Sequence, residues 1–307
     1  MNRTRLSIIS IILLLFGVLC CATSVLMIKA SHVHPTVLSA YRLLLSALLL
    51  SPFYAGNFWK HRHEYSVRHL HLTLLPGLAL ALHFITWMQG AKWTHAANAT
   101  LIVSMVPIAM PFILFFKIGE VITKAEVVGT LLAMGGAVWL TASDFFVSRQ
   151  SLLGDVTCFV SMLLFSYYLA QARTDRSPNI WLYLVPLYAV AGVICLVVAL
   201  FVAHPFAPLA AREYLLVLGL VVVPTILGHS ILNHAMKQLS AQVVGVVNLF
   251  QFLFAGALAY FLFGEVPRPV FYAAGALVVA GSIIVIGALA ATPESERKVD
   301  LAATPEL

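Results

Sequence analysis

Hydrophobic residues occur along this chain in ten long runs, separated by short polar connections. A helix that crosses a hydrocarbon core of roughly 30 Å needs about 20 apolar residues, and each run is close to that length. The pattern predicts membrane-spanning helices at Leu6–Lys29, Pro35–Ala55, Leu70–Gly90, Ala96–Phe116, Glu126–Ala142, Leu152–Ala172, Ile180–Ala203, Tyr214–Ala235, Ala241–Phe263 and Val270–Ala291.

One outline occurs twice in the chain at a constant offset. The first copy runs from Ala91 to Trp139 through Gly-Glu-Val at 119–121, and the second contains Gly-Glu-Val at 264–266. Five spans per half is an odd number, so related halves must cross the membrane in opposite directions, as in the inverted repeats of secondary transporters. We predict an all-α membrane protein whose ten transmembrane helices form two inverted five-helix repeats. The predicted parts are the repeats 1–145 and 150–291 and a polar cytoplasmic tail, 292–307.

The composition agrees with this pattern. Hydrophobic residues make up 61%, charged residues 10%, and the mean hydropathy is +0.97. A soluble domain is nearer about 25% charged, so we expect a membrane protein throughout with no soluble domain. The first run has the length of a retained helix and lacks a cleavage site of the signal-peptide kind.

The formal net charge of +6 becomes informative when the basic residues are assigned to the two sides of the membrane. If connections alternate sides, the amino-terminal side carries about twelve Lys and Arg and the opposite side about five, which predicts that both termini are cytoplasmic. We expect the membrane to be a bacterial inner membrane. Nucleic-acid binding is disfavoured because no basic and aromatic face exists outside the membrane. The four cysteines lie inside apolar runs, and the histidines around 61–71 are irregularly spaced. We therefore expect neither a metal site nor a cofactor.

Polar side chains recur at helical spacing inside the apolar runs. Without water in the hydrocarbon, each needs either a partner on another helix or a wet cavity, and both interpretations stay open. The clearest stripe is Thr225, His229 and Asn233, each four residues apart. The candidate substrate-binding residues are His83, Trp87, Asn98, Ser161, Tyr168, His229, Asn233, Asn248 and Gln251.

The chemistry of these candidates favours a mostly uncharged, aromatic cavity. The indole of Trp87 attracts cations, hydroxyls such as Tyr168 can donate to a carboxylate, and amides such as Gln251 can bind an ammonium group. Such a set suits a zwitterion or an amphipathic metabolite, since phosphate or sulfate would need more basic residues. If transport is coupled to protons, the candidates are His83, His229 and His234.

Three charged residues receive structural interpretations. Arg42 lies inside the second run near its outer end, so pairing or snorkelling to the interface is the main expectation. Glu120 and Glu265 each precede a new run, where a carboxylate can accept hydrogen bonds from the N–H groups of the following helix.

Prolines also mark the fourth run. Pro107 and Pro111 remove backbone hydrogen bonds there, which predicts a bent helix that lines a cavity. The ninth run has Phe252 and Gly256 at those positions, so we expect the two halves to bend unequally.

Together these features resemble the EamA-type branch of the drug/metabolite transporter superfamily. The resemblance implies ten helices around a central cavity lined chiefly by helices 1, 3, 4, 6, 8 and 9, working by alternating access. Its members export amino acids, other metabolites or drugs, and some are coupled to protons. The residues that carry it are Phe16-Gly17, Pro35, Tyr41-Arg42, Gly119-Glu120, Gly264-Glu265, Gly136 and Gly281.

We expect a secondary transporter that exports amino acids or related small metabolites, with a small-molecule substrate and the lipid bilayer as its partners. Multidrug efflux of lipophilic compounds and a non-transporting scaffold remain alternatives. An intramembrane enzyme is disfavoured because no nucleophile motif or paired intramembrane carboxylates occur. The sequence leaves open the substrate, the coupling ion, the direction and the oligomeric state. Gly129, Gly136, Gly275 and Gly281 permit close helix contacts within one chain or between two.

Overall fold

The computed structural model describes residues 8–142, 149–175, 177–263, 266 and 269–291. Gly264 and Glu265 of the repeated motif lie outside these residues, as does the polar tail.

The described chain is built from helices. Nine segments of it are long and apolar enough to cross a membrane, and the tenth span is a helix of 19 residues, α7. This confirms the predicted ten-helix membrane fold. The elements are α1 Ile8–Ala30, α2 Pro35–Lys60, α3 Val67–His71, α4 Leu74–Trp93, α5 Ala96–Ser104, α6 Val106–Ile118, α7 Lys124–Ala142, α8 Arg149–Thr174, α9 Ile180–Val202, α10 Ala211–Leu220, π1 Val221–His229, α11 Ser230–Gln238, α12 Ala241–Asn248, α13 Phe250–Phe263 and α14 Pro269–Ala291.

The contacts between spans of the two halves come in pairs that are related by the repeat. Helix α2 packs along α9, and α7 packs along α14. The contact of α4 with α8 is matched by that of α1 with π1, and the contacts of α8 with α5 and α6 are matched by those of α1 with α12 and α13. Each span of the first half thus has its counterpart in the second, as an inverted repeat requires.

Glycines hold α7 and α14 at close range. A Cβ added to Gly281 would lie 2.3 Å from the Gly129 carbonyl oxygen, and one added to Gly136 would lie 2.8 Å from the Ala274 carbonyl oxygen. A Cβ on Gly275 would meet the Leu253 side chain at 2.8 Å. Small residues let helix backbones approach in lipid, and all four of these glycines are used within one chain.

The fourth and ninth spans are both interrupted. The fourth span breaks between α5 and α6 at Met105, and the ninth breaks between α12 and α13 at Leu249. A proline, Pro107, follows only the first break, so the expected inequality between the halves is not reflected in where the helices break. The two spans cross at this level, where a Cβ on Gly245 would lie 3.2 Å from Pro107 Cγ. The interruption therefore follows the position in the repeat rather than the proline.

The eighth span widens into the π-helix π1 around Pro224. Proline has no N–H, so the Leu220 carbonyl loses its α-helical donor, and the hydroxyl of Thr225 donates to that carbonyl instead at 2.7 Å. Wide turns of this kind occur often at functional sites, and irregular backbone at membrane depth is tolerated only where protein or a cavity surrounds it. The apolar pattern predicted this span but not its π segment.

The second span is longer than predicted. Helix α2 continues past Pro52 to Lys60, whereas the apolar run predicts an end at Ala55. The polar connection that follows contains the short helix α3, and α4 begins at Leu74.

Candidate functional site

A small cavity lies at the centre of the bundle, between the two halves. No lining side chain is more than 6% exposed, and the space open to water is about 20 Å³, room for about one water molecule. The structure is therefore a conformation closed to solvent. The lining residues are Cys21 and Ser24 of α1, Arg42 of α2, His83 and Trp87 of α4, Val103 of α5, Phe165 of α8, His229 of π1 and Gln251 of α13.

Arg42 is buried in this lining, with 1% of its surface exposed. Its Nε donates to Thr225 Oγ1 at 2.5 Å, its Nη1 donates to Ser24 Oγ at 2.9 Å, and the guanidinium lies 4.3 Å from the centre of the Phe84 ring. Snorkelling to the interface is therefore wrong, and among the residues described no carboxylate pairs with this arginine.

His83 is held in a fixed orientation between α4 and α8. Its Nδ1 lies 2.8 Å from Ser161 Oγ, and its ring stacks on Phe165 with 4.7 Å between ring centres. Ser161 Oγ also lies 3.0 Å from the His83 carbonyl oxygen. Ser161 thus positions His83 rather than lining the cavity itself.

His229 forms another wall of the cavity. Its ring centre lies 6.4 Å from that of His83 and 5.3 Å from that of Phe84. Its Nδ1 is buried and has no hydrogen-bond partner in the described part of the chain. One turn later, Asn233 donates to the His229 carbonyl oxygen at 2.6 Å and to the Tyr168 hydroxyl, so Asn233 and Tyr168 support this wall from behind.

The ninth span contributes two amide side chains, Gln251 and Asn248. Gln251 lines the cavity and donates from Nε2 to Asn248 Oδ1 at 2.5 Å, while Asn248 Nδ2 is buried without a partner among the described atoms. Asn98 is buried near the start of α5 and is not among the cavity-lining residues that the structure describes.

Eight of the nine candidates, all except Asn98, therefore separate into two groups. His83, Trp87, His229 and Gln251 line one cavity; Ser161, Tyr168, Asn233 and Asn248 each contact a lining residue from behind. Their assignment to substrate binding stays a prediction.

Several lining or supporting residues were not among those predicted from the sequence. Ser24 had a usable signal, because Gly17, Cys21 and Ser24 follow at steps of four and three and share one face of α1. Phe84 and Phe165 had none, since one phenylalanine in an apolar run looks like any other.

Glu120 has a different partner from the one expected. It accepts a hydrogen bond from Arg173 Nε at 3.1 Å, which joins the end of the fourth span to the end of α8. At the N-terminus of α7 the accepting carboxylate is instead that of Glu126, whose Oε2 accepts a hydrogen bond from the Thr123 N–H at 2.9 Å. The predicted capping role of Glu120 is therefore wrong, and that of Glu265 falls outside the described residues.

The glycine before Glu120 ends α6. Gly119 has φ of 65°, in the left-handed region that glycine adopts without strain, and the Glu120 N–H reaches back to the Leu114 carbonyl oxygen at 3.4 Å. This arrangement is a common glycine-dependent helix end. Gly-Glu thus combines a helix stop with an ion pair.

The face of the bundle where α8 ends, here called the Arg173 face, is closed by polar contacts. Arg173 Nη1 donates to the carbonyl oxygens of Met236 at 3.1 Å and Leu239 at 2.7 Å. Lys237 Nζ forms an ion pair with Asp175 at 2.6 Å. These contacts join α8 to the end of the eighth span, next to the Glu120 pair.

The opposite face, here called the Lys29 face, is closed in a related way. Lys29 Nζ donates to the Thr94 carbonyl oxygen at 2.6 Å, and Lys92 Nζ donates to the Val33 carbonyl oxygen at 2.5 Å. The offset that aligns Lys92 with Lys237 also aligns Thr94 with Leu239. The corresponding ends of the two repeats therefore close opposite faces, in each case with a basic side chain that donates to the carbonyl oxygen of an aligned residue, Thr94 or Leu239.

A third contact strengthens the Lys29 face. Glu213 of α10 accepts from Ser31 Oγ at 2.6 Å and from the His32 N–H at 3.1 Å. This contact joins the eighth span to the α1–α2 connection.

A ten-span inverted repeat with a closed central cavity between its halves defines a class of membrane transporters. The model of the EamA-like transporter family matches residues 8–142 and 152–287, so the chain belongs to that family. It is accordingly a multi-pass integral membrane protein of a family that transports small molecules.

The chain is also similar to a solved structure and to a plant protein. A crystal structure described only as that of a protein superposes with a TM-score of 0.74 at 16% identity, covering 91% of this chain and 97% of that one, which shows the fold. A WAT1-related protein of Arabidopsis thaliana is 33% identical over 117 residues, 36% of this chain. That match spans 32% of the plant protein's length.

Proposed function

We propose that this protein is a secondary transporter that exports amino acids or related small metabolites by alternating access. The observation that carries the proposal is the closed central cavity, which has a set of polar closing contacts on each side. Opening the Lys29 face would expose the cavity to one side of the membrane, and opening the Arg173 face would expose it to the other. The related contacts on the two faces suit such an exchange.

The lining supports a small substrate with a polar head and an apolar remainder. Arg42, His229 and Gln251 supply polar groups, while Trp87 and Phe165 supply aromatic surface. Multidrug efflux is less well supported, because a neutral lipophilic compound would displace water from the guanidinium without replacing its hydrogen bonds, which is costly in a buried site.

We further propose a bacterial inner-membrane location with both termini cytoplasmic. The support for this orientation is the excess of Lys and Arg in the connections on the amino-terminal side, the side on which Arg173 and Lys237 lie. The repeats would extend over 1–145 and 150–291, with the tail 292–307 in the cytoplasm. Proton coupling is part of the test below, since histidine titrates near neutral pH when unperturbed.

The experiment is counterflow uptake in proteoliposomes, with labelled aromatic and aliphatic amino acids and with or without an imposed pH gradient. We expect uptake of at least one amino acid, lost in a Trp87→Ala variant. Trp59→Ala is the matched control, because Trp59 is 67% exposed at the end of α2, away from the cavity. Absence of uptake for every amino acid, with protein shown to be folded, would contradict the proposal.

A further inference from the structure

We propose that Arg42 binds the carboxylate of the transported substrate and that the amino group of an amino acid is dispensable. The substrate class is then small organic acids with an apolar or aromatic remainder, of which amino acids are one kind. This inference rests on the proposed transport function and names the group that is recognised.

Arg42 has more hydrogen-bond donors than the described residues accept from. A guanidinium has five N–H groups, and Arg42 uses one at Nε for Thr225 and one at Nη1 for Ser24. Three N–H groups are left without a partner in the described part of the chain, on a side chain that lines the cavity. A carboxylate is the ligand that the planar guanidinium fork binds best, through two parallel hydrogen bonds.

The described negative charges lie toward the two faces of the bundle and not in the described lining of the cavity. Described carboxylates near the ends of the spans are engaged at the two faces: Glu120 with Arg173, Asp175 with Lys237 and Glu213 with Ser31. The cavity lining, as far as the structure describes it, contains no carboxylate. A buried charge without a counter-ion is costly, so an anionic substrate supplies what Arg42 lacks.

The lack of a carboxylate in the described lining also determines how well an ammonium group would be bound. With no carboxylate among the described lining residues, an ammonium would meet only neutral groups there, such as the Gln251 amide, the Ser24 hydroxyl and the aromatic faces. Its loss should therefore matter much less than loss of the carboxylate. His229, another lining residue, has an unpartnered Nδ1 among the described atoms, while Trp87, Val103 and Phe165 supply apolar surface to the lining.

Arg42 also connects the two halves. Ser24 belongs to the first repeat and Thr225 to the second, and Arg42 donates to both. A carboxylate bound by the three remaining N–H groups would share the guanidinium with these two contacts. Substrate binding would thus act directly on a link between the halves, which gives it the differential interaction that a conformational change requires.

The first test uses the unmodified protein and four compounds: phenylalanine, phenylalaninamide, 3-phenylpropionate and 2-phenylethylamine. They are compared as competitors of counterflow and as stabilisers of the purified protein against heat. We expect phenylalanine and 3-phenylpropionate to compete and to stabilise, and the amide and the amine to do neither. Equal effects of the amine and the acid would overturn the proposal while leaving transport intact.

The second test uses variants. Arg42→Gln should weaken binding of 3-phenylpropionate by about tenfold to hundredfold, the range expected for loss of a charge-assisted hydrogen bond, and Arg42→Lys should lose less. Arg68→Gln is the matched control, since Arg68 is exposed on α3 and carries the same charge. If Arg42→Gln does not fold, the compound series on the unmodified protein decides alone.

The two proposals fail differently. Absence of amino-acid flux combined with stabilisation by 3-phenylpropionate that depends on Arg42 would contradict amino-acid export and support the carboxylate site. Flux of amino acids that 3-phenylpropionate does not inhibit, even at concentrations well above that of the labelled substrate, would support export and overturn the carboxylate site.

Discussion

Arg173 and Glu120 form an ion pair of 3.1 Å across the Arg173 face, between the ends of α8 and of the fourth span. The same guanidinium also donates to two carbonyl oxygens at the end of the eighth span. One side chain therefore joins three spans at the point where the cavity would have to open toward this face.

Glu120→Gln should shift the protein toward a conformation open at the Arg173 face. Opening of that face would separate the two ends and break the ion pair. A pair of this kind stabilises by about 1 kcal/mol, which is about a fivefold change in population. Cys21 lines the cavity, so its reaction with N-ethylmaleimide measures opening. In a background with Cys20, Cys158 and Cys195 replaced by alanine, the reaction rate should rise about fivefold.

The control for this experiment is Lys117→Gln. Lys117 is exposed on the same face and bonds to Gln171, so its loss removes one charge without touching the Arg173 contacts. An unchanged Cys21 rate in Glu120→Gln, or an equal rise in Lys117→Gln, would show that the ion pair does not hold this face closed.

Gly119 should tolerate asparagine better than valine. At φ of 65° a side chain with a Cβ costs about 1 to 2 kcal/mol, and asparagine is the residue that visits this region most readily after glycine. We expect both variants to lower the free energy of unfolding in detergent, with Gly119→Val the worse. Gly56→Asn is the control, because a Cβ there meets nothing within 4 Å. Equal stability of Gly119→Val and the unmodified protein would refute the helix-stop role.

Gly136 and Gly135 offer a matched pair on α7. A Cβ on Gly136 would lie 2.8 Å from the Ala274 carbonyl oxygen, whereas one on Gly135 meets nothing within 4 Å. Gly136→Ala should therefore force α7 and α14 apart and cost about 1 to 3 kcal/mol, while Gly135→Ala should be neutral or stabilise by up to about 1 kcal/mol through helix propensity. Thermal unfolding of the two purified variants decides; the reverse order would contradict the close contact.

The ten spans and the inverted repeat were predictable because they follow from local requirements. The apolar length of a span is set by the bilayer, and an odd number of spans per repeat fixes the inversion. The glycines that the sequence analysis singled out, such as Gly136 and Gly281, also proved to lie at the close helix contacts. These features can be predicted without knowing which helices are in contact.

The site was less predictable because it depends on contacts between distant segments. Arg42 looks like an interfacial residue when only its distance from Pro35 is counted, yet its partners Ser24 and Thr225 come from two other spans and keep it buried. Glu120 likewise looks like a helix cap until the fold brings Arg173 to it. The π segment arises from Pro224 and a hydroxyl that replaces the missing N–H, a local solution that the hydrophobic pattern does not record.

Loss of the Thr225 hydroxyl should lower the free energy of unfolding more than loss of the Thr157 hydroxyl. Its Oγ1 accepts from Arg42 Nε at 2.5 Å and donates to the Leu220 carbonyl oxygen at 2.7 Å. Thr225→Val keeps the shape but leaves a buried cationic donor and a carbonyl without partners, which should cost at least about 1.5 to 3 kcal/mol. Thr225→Ser keeps the hydroxyl and should lose only about 0.8 kcal/mol for the missing methyl group.

The comparison that isolates this effect is Thr157→Val. Thr157 also donates to a backbone carbonyl, that of Leu153 at 2.6 Å, but it is only half-buried and contacts no charged group through its hydroxyl, as far as the described residues show. Free energies of unfolding of the three variants, measured in the same detergent, should fall in the order Thr157→Val, Thr225→Ser, Thr225→Val from most to least stable. A Thr225→Val protein as stable as Thr157→Val would mean that the Arg42 guanidinium finds another acceptor at no cost, and the argument that Thr225 holds it in place would fail.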